Sequence, residues 1–295
     1  MKNIFLVITT ISMLGIACVK EQTPAGLVLG ETVAFTDSTY TISNLPTPQA
    51  SVIFIEEATG VHCVNCPAGA TELKNLKNAN PNRILSTAVY SPFLNQFEPP
   101  SKYDFNSQDA FDLVMFLGNG DPSKPAAAIN RISSTNNQAN TGNAFFYNRE
   151  EWSGVIQSLI NKSTPVNIDL TAQKDTTTYT INTKIVFTEN YFEPLAISLF
   201  LIEDDVEDLQ DSNTGEIENY IHNHILRKII TPLAGTPFLA DVPSITKGTV
   251  LQRKFYNIRL PKTIVDSKNC HVICVVNKIG ASREVLHAAE IHLPS

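Results

Sequence analysis

Two cysteines three positions apart, Cys63 and Cys66, are the residues whose types and spacing point most directly to chemistry. At that spacing one thiol can attack a disulfide, and the other, about one helical turn on, can resolve the mixed disulfide that results. The attacker must be a thiolate. A helix opening at Cys63 would aim unpaired N–H groups and a positive dipole end at that sulfur and lower its pKa. Such chemistry also needs a group that carries protons. Glu56 and Glu57 follow the apolar run Val52-Ile53-Phe54-Ile55, and on a strand one of two successive side chains must point toward the core. Either Glu56 or Glu57, the latter six residues before Cys63, would then be a buried carboxylate, with a raised pKa suited to proton transfer near neutrality. The other reading of Glu57 is a solvated strand end. For the cysteines the alternatives are a structural disulfide and half of a zinc site, and zinc would need a second pair, with only Cys270 and Cys274 to provide it.

Positioning these groups takes a strand, a tight turn and a helix. Val52 to Ile55 supply the strand, Thr59-Gly60 the turn, and Ala68, Leu73 and Leu76 lie in helical register after the cysteines. Pro67 fits the first helical turn, where its missing N–H is not needed. Ile84 to Tyr90 reads as a second strand after a helix stopped near Asn80-Pro81, and Ser91 to Asn106 as an inserted loop with three prolines. Asp109 to Leu117 has helical periodicity with Ser107 as its cap. Ala126 to Ile132 is a third strand, and Glu150 to Ile160 a closing helix with Trp152, Val155, Ile156, Leu159 and Ile160 on one face. Strands alternating with helices predict an α/β sheet covered on both sides over residues 49–163. Beyond Ser163-Thr164-Pro165 the pattern changes to short β runs: Val166 to Ala172, Tyr179 to Phe187, Leu195 to Ile202, Val250 to Leu260, Val272 to Val276 and Leu286 to Leu293. They predict an all-β domain over residues 164–295, an immunoglobulin-like β-sandwich. On one strand Cys270 and Cys274 would share a face about 13 Å apart, too far to bond, so both are read as buried free thiols.

The unit built on Cys63 and Cys66 resembles the thioredoxin active site. That resemblance gives Pro125 a role, because thioredoxin folds place a cis-proline beside the cysteine pair at the start of the strand after the second helix. Its backbone would hold an extended substrate chain, and X–Pro is where cis bonds occur. It also implies that Glu57 accepts and returns the proton of Cys66. His62 stands where thioredoxins carry tryptophan and could stabilise a Cys63 thiolate, as histidine does in strongly oxidising relatives. Lys124 precedes the proline.

Residues 1–17 read as an export signal, with Lys2 at its start and an apolar stretch from Ile4 to Ile16 too short to span a membrane as a resident helix. Leu14-Gly15-Ile16-Ala17-Cys18 is similar to a bacterial lipobox, with Gly15 where leucine is usual, and makes Cys18 the expected lipidation site. Residues 18–48 read as a tether carrying an edge strand near Val33 to Phe35. The expected compartment lies outside the cytoplasm, where disulfides persist. The 295 residues are 43% hydrophobic and 17% charged, enough for two packed domains. A net charge of −7, or −8 without Lys2, and the lack of any basic run argue against a nucleic-acid partner. Glu203 to Asp211 is an acidic stretch without calcium-loop spacing, read as a solvated loop. His222 and His224 could share one face as metal ligands, but no third ligand lies nearby, and they are read as structural or surface histidines. Neither a cofactor nor a metal is expected.

Four stretches carry a resemblance to the outer membrane protein 28-related family: Glu56 to Gly60 leading into Cys63-Val64-Asn65-Cys66-Pro67, the Pro125 segment ending Ile129-Asn130-Arg131, His222 to Arg227, and Glu284 to Ala289. The resemblance implies an outer-membrane lipoprotein of Gram-negative bacteria, anchored on the periplasmic or cell-surface face, with a thioredoxin-like domain followed by an immunoglobulin-like one. The expected activity is thiol–disulfide exchange on extracytoplasmic protein clients. Cys63 attacks, Cys66 resolves, Glu57 moves protons and Pro125 holds the client. The alternative is a non-enzymatic binding or adhesion module for a surface ligand, with Cys63–Cys66 a fixed disulfide.

Overall fold

The strand that leads to the cysteines, β2 (Ile53–Thr59), is buried along its whole length, and that places it at the centre of a sheet with both faces covered. The computed structural model describes residues 33–118, 120–134 and 145–295; the export signal and Cys18 lie outside them. β2 pairs in parallel with β3 (Ile84–Tyr90) and antiparallel with β4 (Ala126–Ile129), which in turn pairs with β5 (Phe146–Asn148). Helix α1 (Cys66–Ala79) and helix α3 (Trp152–Leu159) pack Leu73, Leu76, Trp152 and Ile156 against one face. Helix α2 (Gln108–Gly118) packs Ala110, Leu113, Val114 and Leu117 against the other. Ser107 caps α2 by accepting the Ala110 N–H at 3.0 Å.

The second half of the chain continues this sheet. β8 (Leu195–Glu203), β11 (Ile225–Ile229), β14 (Cys270–Lys278) and β15 (Val285–His292) extend it in the order β15-β14-β8-β11-β3-β2-β4-β5, with β12 (Thr236–Phe238) beside β8. The join is β11, parallel to β3 and antiparallel to β8, so hydrogen bonding crosses the boundary drawn at residues 163 and 164. A four-stranded antiparallel sheet lies opposite, made of β1 (Phe35–Thr41), β13 (Thr249–Ile258), β7 (Thr178–Phe187) and β6 (Val166–Asp175) in that order. The apolar faces of the two sheets meet in one core that holds Ile181, Ile185, Phe187, Leu199, Leu201, Leu251 and Phe255. Cys270 and Cys274 sit in that core as free thiols, and burial pushes both up to about 12. The tether strand is longer than expected, and Asp37 holds it through two 2.7 Å bonds from Arg253.

Two sequence expectations change here. Glu203 to Asp211 is not a solvated loop: it ends β8 and forms most of β9 (Val206–Ser212), which pairs with β10 (Gly215–His222) in a separate two-stranded hairpin. Its acids are kept because they satisfy buried donors. Asp208, 1% exposed, accepts from Ser101 Oγ and from the N–H groups of Lys102 and Tyr103, while Glu203 accepts from Arg227 at 2.8 Å. Glu56 also departs from the single-core-face expectation. Both glutamates are buried, on opposite faces, because β2 is covered on both sides; Glu56 takes bonds from Arg131 at 2.9 and 2.7 Å.

The Asn130-Arg131 motif closes this part of the sheet. Both residues have positive φ, of 46° and 50°, which turns the chain sharply after β4. Asn130 then exchanges bonds with the Phe54 backbone on β2, its Oδ1 accepting at 2.7 Å and its N–H donating at 2.8 Å. Its carbonyl accepts from Val285 at the start of β15. One turn thus fastens three strands.

Candidate functional site

The chain leaves β2, turns through Gly60 and reaches the cysteines before α1. Cys63 and Cys66 form a disulfide with Cα atoms 5.3 Å apart. The helix opens at Cys66 rather than at Cys63, because Cys63-Val64-Asn65 forms a turn closed by Cys66 N–H donating to the Cys63 carbonyl at 3.0 Å. Pro67 occupies the first helical turn, as its sequence position predicts. No side chain caps this helix and no acid lies in its first turn, so its positive end is left for the sulfurs just before it.

His62 adds a second positive influence. Nδ1 lies 3.1 Å from the Asp211 carboxylate and Nε2 3.0 Å from the Gln96 carbonyl, two acceptors that together call for both ring protons. Partial burial draws its pKa down, but Asp211, the Gln96 carbonyl and Glu98 outweigh that and hold it above the usual histidine value. Its two acceptors favour the protonated ring, and a positive charge one residue from Cys63 would favour the thiolate when the pair is reduced.

Glu57 lies below the pair on the α1 side of the sheet, 5% exposed, with Oε1 lacking any hydrogen-bond partner. Burial pushes its carboxyl up to about 8 against the pull of Lys77. Gly69 makes room for it: a Cβ there would stand 2.9 Å from Glu57 Oε1 and 2.9 Å from Pro125 Cβ. The Lys124–Pro125 peptide is cis, and the proline ring, Gly69 and the carboxyl meet in one layer. Replacing Gly69 with alanine should therefore cost about 1–3 kcal/mol of stability by overpacking, measured as a lower denaturant midpoint. An unchanged midpoint would mean that the layer is slack.

Lys124, beside the proline, is buried and does not present its amine outward. It donates to the Ser91 carbonyl at 2.9 Å and to the Phe93 carbonyl, and pairs with Asp121 at 3.5 Å. Burial lowers its pKa to about 8 against the opposing Asp121 charge. Its work is to fasten the inserted loop, which also meets the site through Leu94 and Asn95. Leu94 accepts the His62 N–H at 3.0 Å, and Asn95 Oδ1 accepts the Val61 N–H at 2.8 Å. Val64, Phe93 and Phe97, at 47%, 51% and 53% exposure, form an apolar rim on the cysteine turn and on the inserted loop tied to it.

A cavity of about 740 Å³ opens between α1 and the β9–β10 hairpin, reaching Glu57 and Cys66 past Lys77, Tyr90 and Tyr220. Of the two candidate metal histidines, His222 has no nitrogen to spare. His222 donates from Nε2 to the Leu209 carbonyl and accepts from Tyr90 O–H at Nδ1, a neutral ring whose pKa burial pulls to about 4. His224 takes the Lys77 amine at 2.8 Å and faces Asp204 at 3.0 Å. Sequence reasoning missed Gln210, which approaches the cysteine loop from β9; its residue type gives no signal, since only the hairpin's position brings it there.

The fold has known counterparts. HBP35 of Porphyromonas gingivalis matches with a TM-score of 0.60 at 14% identity, covering 83% of this chain and 76% of its own. A protein of Agrobacterium tumefaciens matches with a TM-score of 0.51 at 13% identity, covering 84% and 96%. A domain of the outer membrane lipoprotein Omp28 from Porphyromonas gingivalis, covered over 88% of its length, aligns with 44% of this chain at a TM-score of 0.29 and 15% identity. No curated protein matches by sequence. The first two of these likenesses concern the fold: a mixed α/β sheet with parallel strands joined to antiparallel β structure, as in HBP35. At the level of the sequence, the model of the family described as outer membrane protein Omp28 matches residues 119–291, from the loop before Pro125 through the hairpin and the His222–Arg227 motif into β15. That match takes in more than half of the chain, which therefore belongs to the outer membrane protein Omp28 family.

Proposed function

We propose that this chain is a lipid-anchored thiol–disulfide exchanger of the outer membrane that acts on extracytoplasmic protein clients. The observation that carries this reading is the layer at the cysteines: a disulfide at an uncapped helix start, near a buried carboxyl whose Oε1 has no hydrogen-bond partner. A purely structural disulfide gives no reason to bury a glutamate with an unsatisfied oxygen, which costs free energy. In the exchange reaction the Cys63 thiolate attacks a client disulfide, a new S–S bond forms, and the client's second sulfur leaves as thiolate. Cys66 then gives its proton to Glu57 and attacks Cys63, releasing the client dithiol and re-forming the Cys63–Cys66 bond. Two electrons pass from this pair to the client, and the reverse sequence oxidises a client dithiol. Pro125 borders the place where a client strand would lie, and the rim of Val64, Phe93 and Phe97 would meet its apolar side chains.

Lipid on Cys18 would tether the chain through the residues that precede β1. Residues 49–163 would act as the thioredoxin-like unit, and residues 164–295, joined to it through β11 and completed by β1, as an immunoglobulin-like sandwich that presents clients. A second reading, favoured by the 2% exposure of Cys63, is a binding module with a fixed disulfide. Disulfide reduction of insulin by chain lacking residues 1–18, with a thiol reductant to recycle it, separates the two. Cys63→Ser should fall to the uncatalysed rate, and Cys66→Ser should accumulate the mixed disulfide. Equal rates with the wild-type chain, the Cys63→Ser variant and no protein would end the exchange reading.

A further inference from the structure

Exchange requires that a partner sulfur reach Cys63, yet that residue is 2% exposed in the oxidised chain. β9 lies against the loop that holds it. Gln210 Nε2 stands 3.0 Å from the Gly60 carbonyl, 2.9 Å from that of Val61 and 3.3 Å from that of Cys63. The next residue adds two more ties, Asp211 N–H donating to Val61 O at 2.8 Å and the Asp211 carboxylate holding His62 at 3.1 Å. Glu57 and Cys66 are roofed on the same side by Tyr220 and Ile217 of β10.

This cover is built to come away as a unit. β9 and β10 pair only with each other among the described strands, so moving them breaks no ladder of the large sheet. A lone two-stranded hairpin is marginal by itself and depends on its contacts. Its register shifts between Ile217 and Tyr220, and Ile217 and Ile221 stay 37% and 43% exposed, while His222 at its base is buried and bonded to Tyr90. The base is anchored separately, by Asp208 accepting from Ser101, Lys102 and Tyr103. At the free end one amide with two N–H groups serves three loop carbonyls, each bond shared and so weak.

We propose that the β9–β10 hairpin is a latch over the Cys63–Cys66 pair, that Gln210 is its catch, and that a partner reaches Cys63 only after the hairpin releases residues 60–63. The latch rests on the exchange reading for its purpose but not for its test. Gln210 is a positioning residue: it touches the backbone that carries Cys63, not the reacting sulfur. It sets which reagents gain access and how fast.

The test is the rate at which tris(2-carboxyethyl)phosphine reduces the intact disulfide, with thiols trapped by alkylation. Phosphorus attacks Cys63 Sγ, the S–S bond breaks and Cys66 leaves as thiolate. Water then takes the phosphorus to its oxide and frees the second thiol, so two electrons pass from phosphorus to sulfur. Gln210→Met keeps the volume and removes the N–H donors; it should speed reduction about tenfold, the scale of one lost hydrogen-bonded closure. Asp211→Ala, which loosens the His62 tie at the same end, should speed it several-fold and serves if the first variant folds poorly. Ile185→Val, in the core between the sheets, lowers global stability without touching the latch and should leave the rate within about twofold of the wild type. The proposal is overturned if neither Gln210→Met nor Asp211→Ala speeds reduction, or if Ile185→Val speeds it as much, since access would then come from general unfolding. The equilibrium reduction potential of the pair, measured on the same samples, judges the exchange reading separately.

Discussion

Arg131→Met should cost about 3–5 kcal/mol of stability, because it leaves the Glu56 carboxylate buried without its partner. The pair is sealed on both sides, Arg131 at 0% exposure and Glu56 at 0%, between the β2 face and the rings of Phe116 and Phe200. The two shortest bonds between them are 2.9 and 2.7 Å, with a third at 3.3 Å. Burying two charges is costly in itself, so the pair's value lies in never being broken rather than in attraction gained. The double variant Glu56→Gln, Arg131→Met should accordingly recover most of the loss. Chemical denaturation of the three variants decides this. A single variant as stable as the wild-type chain would mean that water or local rearrangement reaches Glu56.

Glu57→Gln should remove a loss of stability that the wild-type chain suffers as pH rises from 4.5 to about 8. The carboxyl's pKa rises from 4.5 to about 8 in the fold, since burial disfavours its charge. The folded chain therefore holds a proton that the unfolded chain releases. Its stabilising effect is complete below pH 4.5 and drains away as pH rises to about 8. At about 1.4 kcal/mol per pKa unit the whole span is on the order of 5 kcal/mol. Glutamine removes that slope, so the variant should overtake the wild-type chain in stability above neutral pH and show no advantage near pH 4. The same substitution should slow resolution of a mixed disulfide by about 10²-fold, the usual scale for losing a general base. Stability curves that stay parallel across this range would place the Glu57 charge in contact with water.

Much of this was legible because local signals agreed. Val52 to Ile55, the Thr59-Gly60 turn, the cysteines and Pro67 each favour the element they occupy, and β2, the turn and α1 follow in that order. The α/β alternation up to Ile160 was readable for the same reason, as was the Ser107 cap. The helix start shifted by three residues because the turn bond from Cys66 N–H to Cys63 O outcompetes an earlier helical turn. What escaped the sequence were features decided by distant partners. β9 and β10 are rich in polar residues, and only Ser101, Lys102, Tyr103 and the Gly60–Cys63 loop, far away in sequence, make Asp208 and Gln210 interior groups. β11 could not be recognised as the strand that joins the two halves, since nothing in Ile225 to Ile229 marks β3 as its neighbour. The burial of Glu56 beside that of Glu57 likewise depends on Arg131 arriving from β4's far end.

The central claim is that Cys63 and Cys66 cycle between dithiol and disulfide. Its most direct test is the reduction potential of that pair in chain beginning after Cys18, equilibrated in thiol buffers, alkylated and read peptide by peptide. A value between about −270 and −120 mV, the span from thioredoxin to strongly oxidising members of that fold, is the expected result, and its position in the span gives the direction of electron flow. A pair that stays oxidised below about −300 mV, as structural disulfides do, would contradict the account.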